Sequence, residues 1–185
     1  MIQEVLADAR QRMQKSVEAT RRELAGLRTG RAHPGLVEHI RVEYYGTPVP
    51  LNQLATITAP EPRLLVIQPW DKSALRSIEK ALLQSDLGLH PTSDGNVLRV
   101  PIPPLTEERR QDLVKLARKL AEEGRVAIRN IRREAKETIE ELEDEGEISE
   151  DEARRAQEEL QKLTDRFIEE IDALLQRKEA EILEV

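Results

Sequence analysis

The 185-residue chain has no cysteine, which excludes disulfides, thiolate nucleophiles and cysteine-ligated zinc together and suits a reducing compartment. Aromatic residues are nearly missing as well. At 2% aromatic against 35% charged, the composition is that of long, ion-paired helices rather than of a β-sandwich. No apolar run approaches the roughly 20 residues that a membrane-spanning helix needs. The N-terminus carries Glu4 and Asp8 where a secretory signal requires basic residues, so the chain is read as cytoplasmic. Enzyme signatures are wanting too: there is no Gly-rich phosphate loop, no dinucleotide fingerprint, no His-Glu-x-x-His and no nucleophile-elbow serine. His33, His39 and His90 are too scattered to form a zinc cluster. The expectation is therefore a non-enzyme with no catalytic residue, metal or cofactor. A net charge of -7 further excludes a wholly basic nucleic-acid binder.

What is present is strongly segregated. Residues 1–35 carry a net +3, residues 36–105 a net -1, and residues 106–136 a net +4. Residues 137–152 then hold ten carboxylates and no base, and residues 153–185 carry -3. Three segments show helical periodicity. Ile2, Val5, Leu6, Ala9, Met13, Val17, Leu24 and Leu27 form one apolar stripe, giving a helix over about 2–27 that stops before Gly30 and Pro34-Gly35. Leu113, Leu116, Leu120, Ala127, Ile131, Ala135, Ile139 and Leu142 form a second, following Thr106 with Glu107 and Glu108 in the first turn. Gly124 is the weak point expected in that long helix. A third helix opens at the capping box Ser149-Glu150-Asp151-Glu152 and continues through Ala153, Ala156, Leu160, Leu163, Phe167, Ile171 and Leu174. An antiparallel three-helix bundle buries all three stripes.

Between the first two helices the period falls to two. Ile40, Val42 and Tyr44 alternate with polar residues, Gly46-Thr47-Pro48-Val49-Pro50 is expected to turn, and strands are expected near Leu54 to Thr58 and over Leu64 to Ile67. A helix from about Lys72 to Asp86 and a hairpin turning at Asp94-Gly95-Asn96 complete a small α+β insertion. The fold class is thus α+β, with a discontinuous bundle of residues 1–29 and 106–185 and an inserted domain of residues 30–105. The two connections make a double-stranded hinge at Gly30, Pro34, Gly35, Pro101, Pro103 and Pro104.

The second helix carries the informative pattern. At 100° per residue, Arg118, Arg125, Arg129, Arg132 and Lys136 fall within about 40° of one direction, roughly 130° from the leucines. They make a basic ridge about 27 Å long, in which arginine suits bidentate phosphate contact. Arg129 finds no acid three or four residues away. The first helix segment adds Arg21, Arg28 and Arg31, the last two next to the hinge. Pattern alone leaves two readings open, a polyanion-binding ridge or a solvated, ion-paired face. A third, a helical adaptor that forms an intermolecular coiled coil and binds an acidic protein, is separated from a bundle by size in solution. Trp70 is read as a packing residue of the insertion, and Tyr44 and Tyr45 as pointing to opposite faces, at most one of them core.

Three blocks then match a known family in order. Leu27-Arg28-Thr29-Gly30-Arg31-Ala32, Tyr45-Gly46-Thr47-Pro48-Val49-Pro50-Leu51-Asn52-Gln53 and Arg129-Asn130-Ile131-Arg132-Arg133-Glu134-Ala135, with the ending Lys178-Glu179-Ala180-Glu181-Ile182-Leu183-Glu184-Val185, resemble ribosome recycling factors over essentially the whole chain. Glu134 stands where the family often has Asp. The resemblance implies a monomeric three-helix bundle with a hinged α+β domain, together shaped like a transfer RNA. It implies binding to the post-termination ribosome, chiefly to large-subunit ribosomal RNA, and action with elongation factor G and GTP to separate the subunits and release mRNA, with no membrane partner. It assigns the RNA contact to Arg129, Arg132 and Arg133 and to Arg28 and Arg31, beside the ridge residues Arg118, Arg125 and Lys136. Tyr44 and Tyr45 are candidates for the surface that the GTPase pushes.

Overall fold

The computed structural model describes residues 1–184; Val185, the end of the expected bundle segment, lies outside the described residues. The chain divides into two compact units, residues 1–29 with 107–184, and residues 30–106.

The first unit is built from α1 (Ile2–Ala25), α3 (Glu107–Asp144) and α4 (Glu150–Leu183), each packed on the other two. α1 stops two residues short of its expected end, with Gly26 as its C-cap, so Gly30 lies outside the helix. α3 runs unbroken for 38 residues, roughly 57 Å. Gly124 does not interrupt it. The residue is buried where α3 crosses α1 and α4: a β-carbon built there would overlap Thr20 Oγ1 and stand 3.0 Å from Ile171 Cδ1. This crossing also moves the buried stripe of α3. Its inward residues are Leu113, Ala117, Ala121, Gly124, Ile128, Ile131, Ala135 and Ile139, whereas Leu116 is exposed and Leu120, Ala127 and Leu142 are half-buried. Small residues win the centre because three backbones can approach only where no bulky side chain intervenes. The capping box at Ser149 is formed in both directions, with Glu152 N–H donating to Ser149 Oγ and Ser149 N–H to Glu152 Oε1. It supplies partners for two helix-end donors, and the acids of the first turn favour the positive end of the α4 dipole.

In the second unit a hairpin of β1 (Arg41–Tyr44) and β2 (Thr47–Pro50) accompanies an antiparallel sheet ordered β3-β4-β6-β5. These strands are β3 (Ala55–Glu61), β4 (Leu64–Pro69), β5 (Thr92–Ser93) and β6 (Leu98–Pro101). Helix α2 (Leu75–Gln84), entered through a 3₁₀ turn at Lys72–Ala74, contributes Ile78 and Leu82 to a core with Leu65, Ile67, Leu98 and Val100. Alternation in β4 and β6 puts those four side chains on one sheet face. Trp70 is not a packing residue. It continues the outward series of β4, is 65% exposed, and donates its indole N–H to Thr56 Oγ1 at 2.9 Å.

Candidate RNA-binding face

The ridge begins on α3, whose period places Arg118, Arg125, Arg129, Arg132 and Lys136 on one side, but tertiary partners divide these residues into two sets. Arg118 Nε donates to Glu179 Oε1 of α4 at 2.7 Å. Arg125 reaches α4 as well, donating to Asp172 Oδ1 at 2.7 Å and to Glu122 Oε2 on its own helix at 3.0 Å. Its side chain is only 18% exposed. Partial burial opposes its charge, yet the bonds to Asp172 and Glu122 outweigh that and hold the guanidinium protonated more firmly than usual. Arg125 is thus a strut between two helices. Arg129, which had no acid three or four residues away, reaches Glu122 two turns back at 3.1 Å. The two guanidiniums bonded to Glu122, Arg125 first, hold that carboxyl below its ordinary range.

Arg132 and Arg133 differ. Neither has an ion pair or side-chain hydrogen bond among the described residues, and Lys136 has only Glu140 at 4.0 Å. Arg118, Arg125 and Arg129 are thus ion-paired within the bundle, and charge without a close partner among the described residues is concentrated at 132–136. Glu134, next along the helix, faces α1 and is bound there by Arg12 at 2.7 Å, on a different side of α3 from the cleft that Arg132 lines. Sequence reasoning missed this link, since nothing in the spacing brings Arg12 to α3. It also missed Gln157 and Gln161 of α4, which share a cleft with Arg132 and Lys136. Their spacing of four beside Leu160 was the available signal.

Arg28 is exposed in the first unit, whereas Arg31 belongs to the second. The expected hinge residues are partly tied down within the second unit. Ala32 N–H donates to Pro62 O at 2.6 Å and Ile102 N–H to Arg63 O at 2.8 Å, so both connecting strands are pinned to the β3–β4 turn. Pro34 and Gly35 lie in a 3₁₀ turn capped by His33 Nδ1, and Pro101 ends β6. Gly30 has a φ of +80°, a conformation that side chains resist, and a β-carbon there would sit 2.8 Å from Leu105 Cγ. Pro103 and Pro104 are exposed between β6 and α3.

The tyrosines differ in burial but do not point to opposite faces, because Tyr45 leaves the strand alternation at the β1–β2 turn and its ring packs against Tyr44 with centroids 4.6 Å apart. Tyr44 is half-buried and donates its hydroxyl to Asp71 Oδ2 at 2.7 Å, while Tyr45 is 81% exposed at a φ of 49°, its ring edge-on to Tyr44. The bond to Asp71 is the chief cause that raises the Tyr44 phenol to about 12; the bonds from Tyr44 and then Ser73 hold Asp71 low.

The family model for ribosome recycling factor matches residues 20–183. The chain belongs to the ribosome recycling factor family. It is 63% identical over 185 residues to the ribosome-recycling factor of Carboxydothermus hydrogenoformans, with 100% of both chains covered. It is 58% identical over 182 residues to that of Thermus thermophilus, covering 98% of each. A solution structure of a ribosome recycling factor superposes with a TM-score of 0.69 at 55% identity, over 100% of this chain and 98% of the other. A second structure, at a TM-score of 0.61, 58% identity and 99% coverage of both chains, presents models for the T. thermophilus ribosome recycling factor and the E. coli elongation factor G bound to the E. coli post-termination complex. The family expected from the three sequence blocks is thereby the family found.

Proposed function

We propose that this chain binds the post-termination ribosome through Arg129, Arg132, Arg133 and Lys136 of α3, laid against large-subunit ribosomal RNA. Acting with elongation factor G and GTP, it separates the subunits and releases mRNA. It is a cytoplasmic monomer and hydrolyses nothing itself; the GTPase is its partner. The observation that carries this reading is the pair Arg132 and Arg133, which stand without a side-chain partner among the described residues in the block that matches the family. A planar guanidinium left unpaired on a rigid helix keeps its five donors free for phosphate oxygens. Arg118 and Arg125, spent on Glu179 and Asp172, hold the helix that presents them.

The mechanical part follows from the two units. A bundle packed through Gly124 resists bending, so force on the second unit is taken up in the connections. The pinned residues Ala32 and Ile102 move with that unit, which leaves Arg28 to Arg31 and Pro103 to Thr106 as the segments that turn, with Gly30 as the pivot. Pro34, Gly35 and Pro101 then travel with the insertion. Exposed Tyr45 is the surface offered to the GTPase, and Tyr44 braces it against Asp71.

Co-sedimentation with purified large ribosomal subunits over a salt series tests the RNA contact. Arg132→Ala is expected to lower affinity by roughly 10- to 150-fold, the loss of one charge-assisted hydrogen-bonding group, with melting unchanged. Unchanged affinity at unchanged melting refutes the assignment.

A further inference from the structure

We propose that Gln157 and Gln161 of α4 complete a cleft that takes one nucleotide of RNA, the cations Arg132 and Lys136 of α3 holding its phosphate and the two amides its sugar or base edge. The proposal rests on the reading that α3 faces ribosomal RNA, and it adds the second wall of that site. The cleft, about 170 Å³, lies between the two helices and is lined by these four side chains and Leu160. Arg132 and Lys136 are four residues apart on one helix, Gln157 and Gln161 four apart on the other, so each pair projects from one face with about 6 Å along the axis between its members. Leu160, 2% exposed, makes the floor between the glutamines.

The walls differ in chemistry. Arg132 has no partner among the described residues, and Lys136 is held only at the 4.0 Å limit by Glu140. Opposite, Gln161 Nε2 donates to Asp165 Oδ1 at 2.8 Å, which fixes the amide and leaves its carbonyl oxygen as an acceptor. Gln157 is half-buried and has no side-chain hydrogen bond among the described residues, so donor and acceptor are both available. A site for phosphate alone would gain from cations on both walls. An amide adds what a phosphate does not need, an acceptor beside a donor, and that combination matches the ribose 2′-hydroxyl and the polar edges of bases. Asp165, which accepts from Gln161, sets negative charge on the α4 side and leaves the anion to Arg132 and Lys136, while Glu140 stands at the 4.0 Å limit from Lys136 on the cation wall.

The test uses large ribosomal subunits and the full chain, comparing the parent with Gln157→Ala, Gln161→Ala, Gln157→Glu and Arg132→Ala over a salt series. Neutral amides release no counterions. Each alanine variant should bind about 2- to 12-fold more weakly with the salt slope of the parent, and Gln157→Glu, which sets a carboxylate against phosphate, more weakly still. Arg132→Ala should flatten the slope by about 0.7. Alanine favours helix, so melting is expected to hold. Glutamine variants that bind like the parent while Arg132→Ala binds weakly overturn the second wall and leave the α3 contact standing. An Arg132→Ala variant that binds normally overturns both. Alanine variants at Gln157 or Gln161 that weaken binding and also flatten the slope show the amides acting only by placing Arg132, and overturn their contact with the nucleotide.

Discussion

Replacing Gly124 with alanine sets two effects of comparable size against each other. In a helix interior alanine is favoured over glycine by about 1 kcal/mol, and on α3 in isolation the change would stabilise. In the bundle the new methyl falls on Thr20 Oγ1 and lies 3.0 Å from Ile171 Cδ1. The isoleucine methyl ends a flexible side chain and yields by a few tenths of an ångström. Thr20 cannot. It is 4% exposed and its hydroxyl is bonded to Ser16 O at 2.9 Å, so rotating it away breaks that bond, at a cost of about 1 kcal/mol. Overpacking adds about 1–3 kcal/mol, and after the helix gain is subtracted Gly124→Ala should destabilise the bundle by about 1–3 kcal/mol. Urea titration read by circular dichroism at 222 nm follows the bundle, since α1, α3 and α4 have 24, 38 and 34 residues against ten in α2. Fluorescence of Trp70, the only tryptophan, follows the second unit and should not shift. Thr20→Ala in the same chain removes the overlapping oxygen and should recover part of the loss, giving a coupling of about 1 kcal/mol or more. A Gly124→Ala protein as stable as the parent would refute the tight crossing, and with it the rigid anchor on which the proposed swing depends.

Removing Arg132 and Arg133 together should flatten the logarithmic salt dependence of large-subunit binding by about 1.4, whereas Arg125→Ala should lower the urea midpoint and spare the slope; equal slopes for the double variant and the parent would move the contact off phosphate. Gly30→Val forces a branched side chain into a φ of +80° against Leu105, so subunit splitting should fall while large-subunit binding persists, and full splitting activity would remove Gly30 from the pivot. In a Tyr45→Phe protein the remaining tyrosine should ionise near pH 12 by absorbance and move toward 10 on Asp71→Asn. The folded value lies above the unfolded 10, so this link contributes stability that is complete below pH 10 and is lost as pH rises to about 12. Asp71 is shifted the other way, and its contribution, present above its unfolded 3.8, is lost as pH falls through the lower folded value; a Tyr44→Phe protein with the same acid and alkaline limbs as the parent would refute both.

The amino-acid sequence by itself determined what depends on neighbours along the chain. The 3.6-residue stripes of Met13, Val17, Ile139 and Phe167, the two-residue alternation at Leu65 and Ile67, and the capping box at Ser149 are local patterns, and each formed where its period or spacing put it. The blocks around Arg28, Gly46 and Arg132 carried the family for the same reason, as contiguous strings of residues. What required a second helix or strand was decided by the tertiary structure. Periodicity cannot separate a leucine at the rim of a stripe from an alanine at its centre, and the crossing at Thr20, Gly124 and Ile171 chose Ala117 and Ala121 over Leu116. Trp70 went to solvent because Pro69 took the inward position of β4. The arginines of one ridge look alike on a helical projection. Glu179 and Asp172, 61 and 47 residues away in the chain, neutralise Arg118 and Arg125, while no acid among the described residues pairs with Arg132. Coulomb attraction acts through space, and only the packed bundle fixes which charges stand within its reach.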